Sequence, residues 1–319
     1  MAIPLNAFIK RRPPGAQHEK IKALIRPTAE SPSVHHAFLK SFDGTRIFYS
    51  TEGQGKPLIF VYGLVCSSLH WTYQIEYFRH THQAVWFDYR GHQNSETPAD
   101  MSSLNIESLG KDLGRVLDEL KIDKAVIIGH SMGVNAVLEF YRQQPNRFEA
   151  MVLANGTSKR PLENIFHINF SQKGFELIRK AHEISPEWVN KLWRLNEKNP
   201  FTEWLIRLGG FNPLLSARED VALYVKQVSE MDPAVFIKFI ESYEHYDATA
   251  WLHEIKVPTL ILAGEHDHIT PLPQQQLLHQ LIPGSELEIV KHGSHCSQMD
   301  LPELVNLKIE RFLRKLGYL

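Results

Sequence analysis

From about residue 36 onward the chain alternates short apolar runs with longer stretches in which apolar positions recur every three or four residues. The runs are Leu58-Ile59-Phe60-Val61, Ala84-Val85-Trp86-Phe87, Ala125-Val126-Ile127-Ile128, Met151-Val152-Leu153, Leu260-Ile261-Leu262 and Leu287-Glu288-Ile289-Val290. Most are continuous rather than alternating, as in strands buried on both faces of a parallel sheet. Ahead of them, His36 to Ser41 and Arg46 to Ser50 flank Asp43-Gly44, which favours a tight antiparallel turn. Ile106, Leu109, Leu113, Val116, Leu117 and Leu120 make one helical stripe; Val305, Ile309, Phe312 and Leu316 make another. This succession predicts an α/β fold: a mostly parallel sheet with helices on both faces and ligand chemistry at the carboxyl ends of its strands.

One stretch breaks the rhythm. Residues 156–250 contain no convincing strand, yet carry Phe166, Phe170, Phe175, Trp188, Trp193, Trp204, Phe211, Phe236 and Phe239 among charged residues. An insertion of that length is too long for a structureless loop, so it predicts a helical cap, its aromatic residues mostly scaffold. Residues 36–155 and 251–319 then make the core. Residues 1–35 read as an extension, in which Lys10, Arg11, Arg12, Lys20, Lys22 and Arg26 outnumber Glu19 and Glu30. Its single patterned piece, Ile21, Leu24 and Ile25, suits a helical turn docked on the body or a weak basic contact with an anionic membrane surface.

Composition narrows the function classes. With 35 Lys+Arg against 36 Asp+Glu the formal net charge is −1, which supplies no field for nucleic acid. Cys66 and Cys296, the 2 cysteines, have neither a disulfide framework's number nor a zinc or redox site's spacing. Lys10, Arg11 and Arg12 interrupt the opening apolar stretch before it reaches the length of an export signal, and the longest nearly apolar run, Leu58 to Cys66, is far short of a membrane span. The expectation is a soluble cytoplasmic protein.

Directly after the run ending at Ile128 comes Gly129-His130-Ser131-Met132-Gly133, followed by helix-forming residues with Ala136, Val137, Phe140 and Tyr141 on one face. Glycines at both ends of this pentapeptide permit a sharp strand-to-helix turn, which projects the Ser131 hydroxyl clear of the sheet at a helix N-terminus. In this setting the chain from about residue 36 to its end resembles the α/β-hydrolase family, with Ser131 matching the nucleophile. The resemblance implies that an acid follows a late strand and a histidine precedes the last helix. Asp267, in Gly264-Glu265-His266-Asp267, holds the matching acid position, with Glu265 its local competitor. His295, in His292-Gly293-Ser294-His295-Cys296 ahead of Asp300 and Pro302, holds the base position, with His292 the alternative.

The oxyanion hole implied by the family combines the backbone N–H of Met132 with one from the loop after the first parallel strand, for which Leu64 is the candidate. Gly63 and Trp71 match the family pattern there, but Tyr62 stands where a histidine is usual, which questions what supports the loop. Gln93 and Val134 likewise replace common glycines. Cys66 and Cys296 fall beside the expected site and read as small buried hydrophobes. His266 and His268 alternate about Asp267, a spacing that sends them to opposite sides of an extended loop, so neither a metal site nor a cofactor is expected. Asn155, Arg194 and Arg207 are candidate polar selectors.

These readings converge on a serine hydrolase, a carboxylesterase or lipase-like enzyme acting on small to medium apolar acyl or aromatic esters. C–C bond hydrolysis, lactone hydrolysis, perhydrolysis and non-catalytic binding of an apolar ligand are the alternatives.

Overall fold

A computed structural model describes residues 34–159 and 170–319. The extension that the sequence sets at residues 1–35, with its Ile21, Leu24 and Ile25 turn, lies outside them except at its last two positions, as does Phe166.

The eight strands are β1 (His35–Lys40), β2 (Arg46–Glu52), β3 (Pro57–Val61), β4 (Gln83–Phe87), β5 (Ala125–His130), β6 (Phe148–Ala154), β7 (Thr259–Gly264) and β8 (Glu286–Val290). They lie in one sheet in the order β1-β2-β4-β3-β5-β6-β7-β8. β1 pairs antiparallel with β2 and β2 antiparallel with β4; every later pairing is parallel. Gly44 makes the β1–β2 turn at a φ of 87°, open to glycine without steric cost. β5, at the centre, is buried along its whole length, as its unbroken apolar run requires.

Helix α1 (Thr72–Phe78) follows β3, α2 (Ile106–Glu119) follows β4, and α3 (Met132–Gln143) follows β5. The stripe foreseen on α2 is its buried face, from Ile106 through Leu117, and Asn105 caps the helix by accepting from the Ser108 N–H. Between β6 and β7 lie α4 (Phe170–Ile184), α5 (Pro186–Arg194), α6 (Pro200–Gly210), α7 (Arg218–Glu230) and α8 (Pro233–His245), with no strand among their described residues. α9 (Leu272–Leu281), the short α10 (Ser297–Asp300) and α11 (Pro302–Lys315) complete the chain.

The aromatic residues of the inserted helices divide by position. Phe211 and Phe239 are buried, and Trp193 packs at a tilt against Phe236 while donating its indole N–H to the Val228 carbonyl at 2.6 Å. Trp188 and Trp204, together with Phe201, are instead exposed. These are the exceptions to the expectation that most of the aromatic residues are scaffold: α5 has no buried residue and α6 only Gly209.

Strand order positions the site. The chain runs from β3 outward to β4, then crosses back to place β5 on the other side of β3. The loops leaving β3 and β5 therefore diverge to opposite faces, opening a crevice at their carboxyl ends. Two departures noted in the sequence are absorbed locally. Gln93 adopts a φ of 46°, the left-handed conformation for which glycine is usual, on an exposed turn. Val134 fits because Gly156 faces it: a Cβ there would stand 2.4 Å from Val134 Cγ2.

An ion pair in the core ties the antiparallel edge to the rest. Arg90 donates through Nε and Nη2 to both oxygens of Asp112, at 2.8 and 2.7 Å, and through Nη1 to Asp43 at 2.8 Å. Arg90 and Asp112 are both fully buried. Replacing Arg90 by Met leaves the Asp112 carboxylate buried without its partner, so urea unfolding should show a loss of about 3–5 kcal/mol.

Candidate active site

β5 ends at His130 and α3 begins at Met132, so the reversal from strand to helix falls on Ser131 alone. Its φ of 55° and ψ of −125° lie where an L residue carries strain of about 1–3 kcal/mol. The flanking glycines make the reversal possible by close approach. A Cβ at Gly129 would stand 2.7 Å from the Gly133 carbonyl oxygen, and one at Gly133 only 2.4 Å from that of Val61. Gly63, on the β3 loop, is equally constrained, since its Cβ would meet Ser131 Cβ at 2.9 Å. The first N–H groups of a helix have no intrahelical acceptor, and Met132 supplies the first of them directly behind the serine. Among the described residues Leu64 N–H makes no backbone hydrogen bond either.

The loops after β7 and β8 bring the other two residues in. His295 Nε2 lies 2.9 Å from Ser131 Oγ, and its Nδ1 lies 2.9 and 3.1 Å from Asp267 Oδ2 and Oδ1. Asp267 Oδ1 also accepts the N–H groups of Ile269 and Thr270, both at 2.8 Å, which fixes the carboxylate plane. Of the sequence alternatives, neither joins this relay. Glu265 faces solvent and accepts the His292 N–H at 2.9 Å, and His292 is exposed just beyond β8.

Three residues have roles that sequence reasoning did not assign. Asn155, weighed as a polar selector, is fully buried and wholly consumed as a strut. Its Nδ2 donates to the His295 carbonyl at 2.6 Å and to Ser297 Oγ at 2.8 Å, while its Oδ1 accepts the Gly264 N–H at 2.7 Å. Its φ of 48° puts it in the left-handed region, which asparagine tolerates better than most residues. His130 Nε2 lies 2.8 Å from the same His295 carbonyl, an acceptor, so the proton is on Nε2. Tyr62 answers the question its substitution raised: its hydroxyl accepts the Tyr89 N–H at 2.9 Å and contacts Asp88 Oδ1 at 3.3 Å, while its carbonyl accepts the Tyr89 hydroxyl. A tyrosine thus anchors the β3 loop to the β4 loop. The periodicity of β6 could have flagged Asn155 as a polar residue directly ending a buried strand; nothing local marks the partners.

Arg194 is exposed, and Arg207, on α6, donates to the Pro213 carbonyl in the loop that follows at 2.7 Å. Cys66 and Cys296 are buried, and burial pushes both thiols well above the ordinary thiol range, which keeps them protonated. Cys296 joins Phe211, Val221, Val225 and Met299 in a separate apolar cluster beside His295.

Three buried imidazoles surround the relay and the adjoining β4 loop. His70 stacks on Tyr224 with ring centroids 5.0 Å apart, and His92 meets Phe239 edge to face. Burial depresses the pKa of His70 to about 3 and of His92 to about 4, and holds that of His130 well below the ordinary value. All three are therefore neutral in the folded protein.

The chain belongs to the alpha/beta hydrolase fold family, whose model matches residues 56–302. It is 27% identical over 269 residues to 3-oxoadipate enol-lactonase 2 of Acinetobacter baylyi, covering 84% of this chain and 92% of that protein. It is 26% identical over 293 residues to mouse epoxide hydrolase 4, covering 88% of this chain and 80% of the relative. Among solved structures, a hydrolase from Pseudomonas aeruginosa superposes with a TM-score of 0.73 at 22% identity, over 88% of this chain and 98% of the other. At this level the chain is a hydrolase of the α/β fold. No helix among the described residues is long and apolar enough to cross a membrane.

Two predictions follow from the strut and the imidazoles. Asn155→Ala leaves the Gly264 N–H and part of the His295 carbonyl unsatisfied in the core, and should cost about 2–4 kcal/mol in urea unfolding. Asn155→Gly removes the same hydrogen bonds without backbone strain, so the difference between the two variants isolates the strain. For the imidazoles, the folded pKa lies below that of the unfolded chain, about 6.5, so their contribution is fully present above that value. It is lost as pH falls toward 4, because the unfolded chain takes up protons first. His92→Gln should therefore flatten the slope of unfolding free energy between about pH 6 and 4 by about 1.4 kcal/mol per pH unit.

Proposed function

We propose that the protein is a serine hydrolase cleaving carboxylic esters, lactones included, of small to medium apolar or aromatic groups through an acyl-enzyme. The observation that carries this reading is the unbroken hydrogen-bonded line from Ser131 Oγ through His295 to the Asp267 carboxylate. In this reading His295 Nε2 takes the Ser131 proton as the oxygen attacks the ester carbonyl. The Met132 and Leu64 N–H groups receive the oxyanion. Collapse of the tetrahedral species expels the alkoxide, which leaves with the proton from His295. Water then gives a proton to His295, attacks the acyl-enzyme and returns Ser131 with release of the acid. Asp267 holds the imidazole in the tautomer with its proton on Nδ1 and stabilises the imidazolium.

Phe211, Val221, Val225, Cys296 and Met299 form a buried apolar cluster that reaches the residue after His295; the apolar acyl or aromatic group is this reading's choice, and the ester series below sizes it. The cluster comes in part from the inserted helices, and the reading takes residues 156–250 as a cap over a core of 36–155 and 251–319. The lactonase name of the Acinetobacter relative supports including cyclic esters. Epoxide opening, the activity named for the mouse relative, fits Ser131 poorly. Attack by a serine oxygen on an epoxide leaves an ether, which the same histidine and water cannot hydrolyse, whereas a carboxylate nucleophile leaves a cleavable ester.

The test is hydrolysis of p-nitrophenyl esters from acetate to palmitate by the parent and Ser131→Ala. We expect an optimum at short to medium chains and a loss of at least about 10⁴-fold in kcat for the variant. Undiminished hydrolysis by Ser131→Ala would overturn the reading, as would failure of a folded parent both to cleave any ester and to be labelled at Ser131 by a fluorophosphonate.

A further inference from the structure

Just outside the relay, three metal-binding side chains converge where the sequence did not place them together. Glu265 and His266 lie on the loop after β7, and His292 lies on the loop after β8. Glu265 Oε2 stands 3.7 Å from His266 Nε2 and 3.8 Å from His292 Nδ1, and all three donor atoms fall within 4.8 Å of one another. Among the described residues this is the one group of three such side chains with that convergence.

The backbones that carry these donors are locked to each other. The Glu265 N–H donates to the Val290 carbonyl at 3.1 Å and the His266 N–H to the Gly293 carbonyl at 2.8 Å. The His292 N–H in turn donates to Glu265 Oε2 at 2.9 Å, which orients the carboxylate between the two rings. The rings themselves are tilted by 36° to one another, with centroids 6.0 Å apart. Donor atoms bound to a tetrahedral ion at about 2.0–2.1 Å stand about 3.3 Å from one another. Reaching that spacing takes about half an ångström of closure in the two pairs that include Glu265, and at most about 1.5 Å between the two imidazoles. Side-chain torsions supply this without moving the backbone, since all three residues face solvent.

We propose that Glu265, His266 and His292 form a binding site for a divalent transition-metal ion, Zn²⁺ or a close analogue such as Co²⁺ or Ni²⁺. Two imidazoles and one carboxylate match the donor preference of these ions rather than that of Ca²⁺ or Mg²⁺, which take oxygen donors. Three protein ligands on an exposed surface leave the remaining positions to water, so the affinity belongs to a regulatory or stabilising site rather than a closed structural one. The bound ion would cross-link the two loops that present Asp267, two residues beyond Glu265, and His295, three residues beyond His292. The site makes no use of the ester-cleaving reading above and stands or falls separately from it.

The test is titration of the full-length protein, carrying no affinity tag, with Co²⁺, followed by its ligand-field absorption, and displacement by Zn²⁺. The expected result is one equivalent bound by the parent and by His268→Ala, which alters an exposed histidine on the same loop. His266→Ala and His292→Ala should each bind at least about tenfold more weakly. Zn²⁺ should raise the thermal unfolding midpoint of the parent and of His268→Ala, and leave the other two unmoved. Absence of saturable binding at micromolar Co²⁺ by the parent overturns the proposal. Parent-like binding by either His266→Ala or His292→Ala does so equally, because the ion then sits at others of the 17 histidines.

Discussion

The close approach of β3, β5 and the start of α3 governs everything built above the sheet. Gly129 and Gly133 bring backbone against backbone, and Gly63 brings the β3 loop against the Ser131 side chain, at distances that a methyl group at any of the three would forbid. That approach forces Ser131 into a conformation it would not choose, and the strain is sustained by the buried strands on either side. The same approach sets Met132 at a helix start and Leu64 on the loop after β3, and neither N–H has a backbone acceptor among the described residues. Fold and site are thus one constraint: the crevice exists because strand order reverses between β3 and β5, and the serine occupies it because Gly129 and Gly133, two residues to either side, admit the close approach.

A second layer of interactions holds the far side of the site. His295 comes from a loop with little regular structure of its own, and its carbonyl is gripped by Asn155 from β6 and by His130 from β5. Asn155 also accepts the N–H of Gly264 at the end of β7, so one amide joins β7 to the loop after β8 that carries His295. Burying that amide is tolerable because each of its polar atoms is satisfied, and truncating it strands its partners. Around it the imidazoles of His70, His92 and His130 remain uncharged, so the relay sits among neutral dipoles rather than competing cations.

Much of this was legible in the residues. Apolar runs located the parallel strands to within two residues except at the start of β6, which begins three residues earlier, at Phe148, than its run; a strand buried on both faces cannot hide polar positions. Gly-His-Ser-Met-Gly was informative because it stood between such a run and a helical stripe, and Asp267 and His295 because each followed a strand end in the expected order. Their ring-to-carboxylate and ring-to-hydroxyl distances agree with that expectation of proximity. What went unread has a common character. Tyr62 in place of histidine looked like a weakness until its hydroxyl was seen to hold the β4 loop. That Trp188 and Trp204 would be the exposed members of a mostly scaffolding aromatic set was not legible, because composition does not say which stripe of a helix finds a neighbour.

The sequence by itself determined the period of each element, the position of the sharp turn and the chemical types available at strand ends, because these depend on residues a few positions apart. The tertiary structure alone decided which distant groups meet. It set Asn155 as a strut rather than a selector, chose Asp267 over Glu265 as the partner of His295, and brought His266 to His292 rather than to His268. Those outcomes turn on the register of β6, β7 and β8 and on loop conformations, in which one residue of slippage points a side chain to the opposite face. Such relations arise from packing across the whole sheet and leave no trace in the spacing of neighbouring residues.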